Sequence, residues 1–256
     1  SDIAAMGGAP KAAFLSMGIP KDTEVEWLDR FFQGVNELAE SSNTYILGGD
    51  TTQSPDKLVI NFTVLGTIEN KEIKTRNKAR PGDLICLSGE IGDSAGGLQV
   101  LLDNLPENQD TEYLVKKHVR PRPHLQEGRW LARFPDVRAM IDLSDGIESD
   151  IHRIMENSKV GAEIDLDQLP LSDHFLQAAD DFGWNAAEKA VTGGEDYKLM
   201  CTVSADDYAQ IAGQFKAHFS KPLYAVGKIT GEPGILHFCS QGKRVDLTGH
   251  GFDHFK

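Results

Sequence analysis

Three acidic motifs in this sequence stand where an apolar segment meets a turn of small residues. They are Gly-Gly-Asp-Thr-Thr (48–52), Asp-Leu-Ser-Asp-Gly (142–146) and Gly-Gly-Glu-Asp-Tyr (193–197). Glycine lets the backbone approach a ligand closely, and carboxylate and hydroxyl oxygens are the ligands that hard cations such as Mg²⁺ prefer. The first motif is therefore a candidate for binding a metal–phosphate complex and the second for binding a hard cation, while the third is unusual for its two adjacent acids before an apolar strand.

Each motif also has a structural alternative. Asp50 could close a tight turn through its side chain, and Ser144 could cap the helix predicted after it. Glu195 and Asp196 could cap a loop, although burying unpaired carboxylates next to an apolar strand is costly. Asp2 is, by its type and position, typical of a helix-capping residue. The residues alone leave these alternatives open.

The glycine-rich run of residues 89–97 offers another way to hold phosphate. It lies between a predicted strand and a predicted helix, where backbone N–H groups and a helix N-terminus can bind an anion. It is not a Walker A loop, because no Gly-Lys-Ser or Gly-Lys-Thr occurs in the chain, and it is not a GxGxxG loop. Close packing of the helix on the strand explains its small residues at least as well.

Charge and composition exclude several functions. The chain has 256 residues and a formal net charge of −13, which argues against a non-specific nucleic-acid binder. No apolar run is long enough for a membrane span. The cysteines, Cys86, Cys201 and Cys239, show no CxxC spacing, so we expect no zinc site or disulfide framework and a reduced cytoplasmic compartment. An acidic protein that handles phosphates needs metal ions to supply positive charge, although the acidity alone could equally serve solubility.

The apolar pattern predicts the elements that position these residues. Residues 25–42 read as an amphipathic helix, residues 45–47 as a short buried strand that runs into the first motif, and residues 58–68 as a strand. After Pro81, strands alternate with helices, which predicts an α/β layer. We therefore place a domain boundary there and expect domains at 1–80 and 81–256.

Seven short motifs follow one another along nearly the whole chain. They are Ser-Asp-Ile-Ala-Ala-Met-Gly (1–7), Gly-Gly-Asp-Thr-Thr (48–52), Arg76 followed by Pro-Gly-Asp (81–83), Gly-Asp-Ser-Ala (92–95), Ile-Asp-Leu-Ser-Asp-Gly (141–146), Gly-Gly-Glu-Asp-Tyr (193–197) and Gly-Phe-Asp-His-Phe (251–255). Each is weak alone, but in this order and spacing they resemble the thiamine-monophosphate kinases.

That family is similar to aminoimidazole ribonucleotide synthetase and selenophosphate synthetase, which bind ATP without a Walker A loop. The resemblance implies an α+β fold of two domains. The N-terminal α/β domain, incomplete here, would dimerise through its sheet, and a C-terminal α/β domain would follow. The resemblance also implies an ATP- and Mg²⁺-dependent kinase that acts on thiamine monophosphate as a cytoplasmic homodimer, without nucleic acid or membrane.

The resemblance assigns roles to individual residues of this chain. The implied magnesium ligands are Asp2, Asp50, Asp142 and Asp145, of which Asp50 and Asp145 would take part in catalysis. The implied ATP contacts are Gly49, Asp50, Arg76 and Ser144. The implied contacts to the thiamine part of the substrate are Glu195, Asp196 and Phe252.

Members of the family carry several tens of residues before the motif at 1–7. That segment includes a Gly-Asp-Asp motif that supplies further metal ligands, and a histidine that contacts the substrate. We therefore expect part of the metal site and part of the dimer sheet to lie outside this sequence.

The implied chemistry is in-line transfer of a phosphoryl group between two phosphates. A phosphate monoester has its second pKa at about 6, so the acceptor oxygen is already anionic near neutral pH and needs no strong base. The main obstacle is repulsion between two anions, which magnesium ions offset. Two alternatives remain: a related ATP-dependent synthetase of the aminoimidazole ribonucleotide or selenophosphate type, and a non-catalytic nucleotide- or thiamine-binding module.

Overall fold

A computed structural model of the chain describes residues 1–247. Within them the strands form two sheets joined by residues 68–83, which confirms the predicted α+β fold. The predicted boundary after residue 80 falls in this connecting segment. Phe252 and the motif at 251–255 lie outside the described residues.

The first sheet is small and is built around one long strand. Its strands are β1 (Ala9–Ile19), β2 (Tyr45–Gln53) and β3 (Val59–Thr67), in the order β2-β1-β3. Strand β2 runs parallel to β1, and β3 runs antiparallel to it. Helix α1 (Asp2–Ala5) precedes β1, and the predicted amphipathic helix is present as α2 (Val25–Ser41) between β1 and β2.

Two expectations about the first sheet are wrong. Residues 45–47 are in a strand but are not buried, because Tyr45 is 68% and Leu47 is 61% exposed. The motif at 48–52 is not a turn, because it continues strand β2 to Gln53. One helix, α2, and three strands are too few elements to cover both faces of a sheet, so most apolar side chains of β2 and β3 remain exposed in the described chain.

The second sheet forms the larger part of the molecule. Within residues 1–247 it has seven strands in the order β10-β9-β6-β8-β4-β7-β5. The only parallel pair among these described strands is β6 with β9, so the α/β layer predicted from the alternation is a mainly antiparallel sheet. The strands are β4 (Leu84–Leu87), β5 (Val137–Asp142), β6 (Gly161–Asp165), β7 (Leu199–Val203), β8 (Tyr224–Thr230), β9 (Leu236–Ser240) and β10 (Lys243–Val245).

Helices cover this second sheet and bury its apolar strands. They are α3 (Asp93–Asp103), α4 (Gln109–Val119), α5 (Leu125–Ala132), α6 (Ile147–Ser158), α7 (Asp173–Phe182), α8 (Ala186–Thr192) and α9 (Ala205–Phe219). Most buried apolar side chains of residues 1–247 form two clusters, both centred on this sheet. Ala4 and Ala5 of α1 belong to the second cluster, so α1 is anchored on the second domain although it precedes the first sheet.

No helix in the described part of the chain is long and apolar enough to cross a membrane.

Candidate active site

The first candidate cavity lies where α1 meets the end of strand β5. It has a volume of about 550 Å³, and its walls include Asp2, Arg76, Asp142 and Ser144. Asp2 comes from α1, which is held by its buried alanines, and Asp142 is the last residue of β5. The hydroxyl of Ser1 donates a hydrogen bond to the carboxylate of Asp142. The fold thus brings together two of the predicted magnesium ligands and two of the predicted ATP contacts.

Arg76 reaches this cavity from the segment that connects the two sheets. Its backbone carbonyl accepts a hydrogen bond from Ser158 Oγ at 2.7 Å, at the end of α6. The nearby backbone N–H of Lys74 donates to the carbonyl of Met6 at 3.0 Å. Both contacts fix the segment between the domains, so the exposed guanidinium group of Arg76 stands at a defined wall of the cavity.

The loop at 142–146 is held by a carboxylate that the sequence analysis did not single out. Asp150, in the first turns of α6, accepts hydrogen bonds from the backbone N–H groups of Ser144 and Asp145, both at 3.1 Å to Oδ2. Burial raises the pKa of Asp150 to about 6, and the neighbouring charge of Asp145 adds to that effect. The sequence feature that could have indicated this role of Asp150 is an acidic residue near the start of a predicted helix, where carboxylates are favoured.

A second, larger cavity adjoins the first. Its volume is about 950 Å³, and its walls include Ser144, Asp145 and Glu195, together with His118 and Trp184. Ser144 lines both cavities, so the turn after β5 forms their common wall. The carboxylate of Asp145 receives a hydrogen bond from Arg153 at 2.8 Å.

Backbone hydrogen bonds join the second and third acidic motifs. The N–H of Glu195 donates to the carbonyl of Ser144, and the N–H of Tyr197 donates to the carbonyl of Leu143, both at 2.8 Å. A Cβ at Gly194 would lie 2.2 Å from the carbonyl oxygen of Ser144, so this close approach requires glycine. The two motifs therefore form one rigid unit, and Glu195 stands at the cavity with its side chain 55% exposed.

Asp196 does not line either cavity, unlike its neighbour Glu195. It is buried, and its two carboxylate oxygens accept hydrogen bonds from the backbone N–H groups of Gly92 at 2.8 Å and Ser94 at 3.3 Å. Burial raises its pKa to about 6. The predicted substrate contact of Asp196 has no support in this geometry, because the carboxylate is fully engaged in holding the turn before α3.

The hydrogen bonds to Asp196 also determine the role of the glycine-rich run of residues 89–97. The run leads from β4 into α3 as predicted, but the N–H groups that open α3 face the carboxylate of Asp196. A helix N-terminus attracts negative charge, and here the protein supplies that charge itself. The expectation that this turn holds phosphate is therefore not supported.

Gly49 and Asp50 stand apart from the cavities. Asp50 pairs with Ser16, seven residues along β1 from Ala9, which at 3.3 Å per residue is about 23 Å. A Cβ at Gly49 would lie 1.7 Å from the carbonyl oxygen of Leu15. The strand pairing of β1 and β2 thus requires a glycine at 49, and Asp50 is not brought together with Asp142 within this chain.

The donors around the first cavity fit a magnesium ion that also binds phosphate. Among the described residues, no three acidic, histidine or cysteine side chains stand close enough to hold a metal unaided. Magnesium is commonly bound by one or two carboxylates together with substrate phosphates and water. Asp2, Asp142 and the Ser144 hydroxyl supply oxygen donors of this kind on one cavity wall.

Sequence reasoning missed several residues that the structure places at the cavities. The cavity walls include Ser94, His118, Asp150 and Arg153, and Ser1 donates a hydrogen bond to the wall residue Asp142. Ser1 and Ser94 lie inside two of the seven motifs, but His118 and Arg153 stand on helices without any local pattern. These side chains reach the cavities because of how the helices pack on the sheet, and the spacing of residues along the sequence does not reveal that packing.

Two family models match the chain. Residues 1–68 match the AIR synthase related protein N-terminal domain, and residues 80–238 match the AIR synthase related protein C-terminal domain. The fold and these two matches define a two-domain protein of the AIR synthase related class.

Similarity to individual proteins identifies the family within this class. The chain is 37% identical to the thiamine-monophosphate kinase of Haemophilus influenzae and 35% identical to that of Bacillus subtilis, covering all of this chain and 77% and 78% of those proteins. A solved structure of AaThiL complexed with AMPPCP and TMP superposes with a TM-score of 0.85 at 29% identity, covering 99% of this chain and 76% of that one. The chain belongs to the thiamine-monophosphate kinase family.

Proposed function

We propose that this protein catalyses the Mg²⁺-dependent transfer of the γ-phosphoryl group of ATP to thiamine monophosphate, giving thiamine diphosphate and ADP. The observation that carries the proposal is the pair of adjoining cavities, which share Ser144 as a wall. One cavity presents carboxylates and an arginine suited to a metal–phosphate complex, and the other presents Glu195 beside apolar walls. The family membership supports the same reaction.

The residues of the first cavity would bind and orient the phosphates. Asp2 and Asp142 would hold magnesium, with Asp145 at the boundary of the two cavities as a further ligand. When bound, the metal neutralises charge on the phosphates and so permits two anions to approach. Arg76 adds a fixed positive charge that can pair with phosphate oxygens.

The second cavity would take the thiamine part of the acceptor. Glu195 can complement the cationic or amino groups of the rings, and Phe252, which lies outside the described residues, keeps its proposed role as a stacking partner. The acceptor phosphate is anionic near neutral pH, so Asp145 is not needed as a strong base. Its proposed role is to hold the metal where the two cavities meet.

We propose that the protein is a homodimer, associated through the first sheet. The exposed apolar side chains of β2 and β3 support this, because large exposed apolar surfaces mark interfaces. Gly49 and Asp50 keep their proposed role with ATP and magnesium only in an assembly that brings β2 to a cavity. The three free thiols fit a reduced cytoplasmic location.

The test is an assay for thiamine diphosphate. The protein is incubated with ATP, magnesium and thiamine monophosphate, and the product is separated by chromatography, with and without EDTA. We expect product that disappears with EDTA and with Asp142→Asn. The assay is repeated with a chain extended at its N-terminus by the segment that family members carry before the motif at 1–7. Absence of product from both proteins, when each is folded by circular dichroism and binds ATP, would overturn the kinase proposal and favour a binding module.

A further inference from the structure

His118 stands in the larger cavity next to the predicted substrate contact Glu195. It belongs to the last turn of α4, and its side chain is 16% exposed. Its Nδ1 atom lies 3.0 Å from Ser94 Oγ and 3.5 Å from Glu195 Oε2. The imidazole is thus wedged between a hydroxyl and a carboxylate, with its exposed edge in the cavity wall.

Among residues 1–247, His118 is the one side chain that lies within ion-pair distance of the Glu195 carboxylate. Its backbone has φ +64°, a left-handed conformation that is rare for glutamate and costs free energy. Tyr197, two residues later, has φ +50°. This strained loop points the carboxylate outward, where a glutamate side chain has several rotamers and water competes for its oxygens. A half-buried ring beside it limits those rotamers.

The contacts that hold His118 extend to a buried carboxylate in the protein core. The buried carboxylate of Asp196 accepts the N–H of Ser94, and the hydroxyl of Ser94 contacts His118, which reaches Glu195. The chain of contacts therefore starts and ends on two adjacent residues and passes through α3 and α4. This closed chain of contacts fixes the orientation of the Glu195 side chain relative to the turn at 142–146.

We propose that His118 is a positioning residue that, with Ser94, holds the Glu195 carboxylate toward the ring-binding part of the substrate. The inference rests on the proposed function, since it names a further determinant of thiamine monophosphate affinity. It assigns no proton transfer to His118. The consequence is selective: the loss of His118 weakens binding of the acceptor and leaves ATP binding and the phosphoryl-transfer step nearly unchanged.

The first experiment compares three variants of the protein. His118→Leu removes the polar contact, His118→Asn keeps a donor near the position of Nδ1, and His118→Gln places one near the position of Nε2. We expect Leu to raise KM for thiamine monophosphate about tenfold, with kcat and KM for ATP within about twofold. We expect Asn, but not Gln, to restore KM to within about threefold of wild type.

A matched control is His174→Leu. His174 contacts Asp110 at 2.6 Å and does not line the cavity, so its loss should leave KM unchanged. Equal KM values for wild type and His118→Leu would overturn the inference. So would a rise in KM for both substrates together, because that pattern marks general damage to the fold.

A double-mutant cycle with Glu195→Gln tests whether His118 acts through Glu195. Acceptor binding is measured by calorimetry without ATP, so the readout does not depend on turnover. We expect His118→Leu to have almost no further effect in the Glu195→Gln background. Additive effects would show that His118 does not act through Glu195 and would overturn the inference. If wild type binds no thiamine monophosphate, the proposed function fails, and the inference fails with it.

Discussion

The carboxylate of Asp150 holds the loop from which both Ser144 and Asp145 project. Both backbone N–H groups of that loop converge on one oxygen of Asp150, while Arg153 lies 3.7 Å from the other. The carboxyl group is buried, which is why its pKa is raised to about 6. The two N–H groups require an acceptor oxygen at this point, and an amide oxygen would supply one without the negative charge.

A pair of substitutions separates the need for an acceptor oxygen from the need for a negative charge. An amide oxygen in Asp150→Asn can accept both N–H groups, whereas Asp150→Ala leaves them without a partner. We expect Ala to lower the free energy of unfolding by about 1–3 kcal/mol, as for buried groups that lose a hydrogen-bond partner. We expect Asn to be nearly neutral, as measured by urea denaturation. Equal losses in both variants would show that the charge itself matters.

Asp145 allows a complementary prediction about activity. Its ion pair with Arg153 is half exposed, and such pairs contribute little to stability. We expect Asp145→Asn to abolish turnover while urea denaturation and circular dichroism remain those of wild type. The surface variant Asp181→Asn is the matched control and should retain full activity. An active Asp145→Asn protein would remove Asp145 from the proposed mechanism.

At the scale of elements, His124 ties α5 to the sheet. Its Nδ1 atom lies 2.6 Å from Ser88 Oγ, and that hydroxyl accepts the N–H of Leu199 in β7. Burial, together with the nearby positive charge of Lys198, lowers the pKa of His124 to about 2. The folded protein therefore keeps this imidazole neutral, whereas the unfolded chain protonates it near its ordinary value of 6.5.

The sign of the resulting pH dependence follows from linkage. Below pH 6.5 the unfolded state binds a proton that the folded state does not, so stability is complete above that pH and is lost as the pH falls. We expect the unfolding equilibrium to shift by up to about tenfold per pH unit between pH 6 and 4 from this group. In His124→Gln this component should vanish, which chemical denaturation at several pH values would show. An unchanged slope would contradict the assignment.

The success of sequence reasoning differed between elements for physical reasons. Helix α2 was predicted because its apolar residues recur at helical spacing, and strands β4 to β9 of the second sheet were predicted because they are apolar runs bounded by turns, whereas the short, mainly polar β10 was not. Helix α4 was missed because a polar stretch precedes it and its start depends on a capping box of Asn108 and Thr111. The exposure of β2 was missed because it depends on what covers the sheet, which no strand pattern contains.

The candidate site was predictable in kind but not in arrangement. The motifs at 142–146 and 193–197 do meet, but through backbone hydrogen bonds between residues about fifty positions apart. The burial of Asp196 and the remoteness of Asp50 follow from helix packing and strand register. Short motifs identify residue types suited to a chemistry, and only the fold decides which of them share a cavity.

At the scale of the whole molecule, the two sheets differ in how well they are buried. Both buried clusters of the described chain centre on the second sheet, whereas every residue of β3 and all but Ile46 of β2 are exposed. We expect amides of β2 and β3 to exchange with solvent faster than those of β4 and β7 in dilute protein. Hydrogen exchange with mass spectrometry measures this. If the first sheet forms the proposed dimer, raising the protein concentration should slow exchange in β2 and β3 but not in β4.

The close approach of Gly49 to β1 affects how natural sequence variation at this motif should be interpreted. A side chain at position 49 would collide with the backbone of Leu15, so strand pairing alone is enough to keep glycine there during evolution. An inherited substitution at Gly49 would therefore lower the amount of folded protein in the cell, in addition to any effect on ATP binding. Cellular abundance, measured by immunoblot, is the appropriate score for such variants.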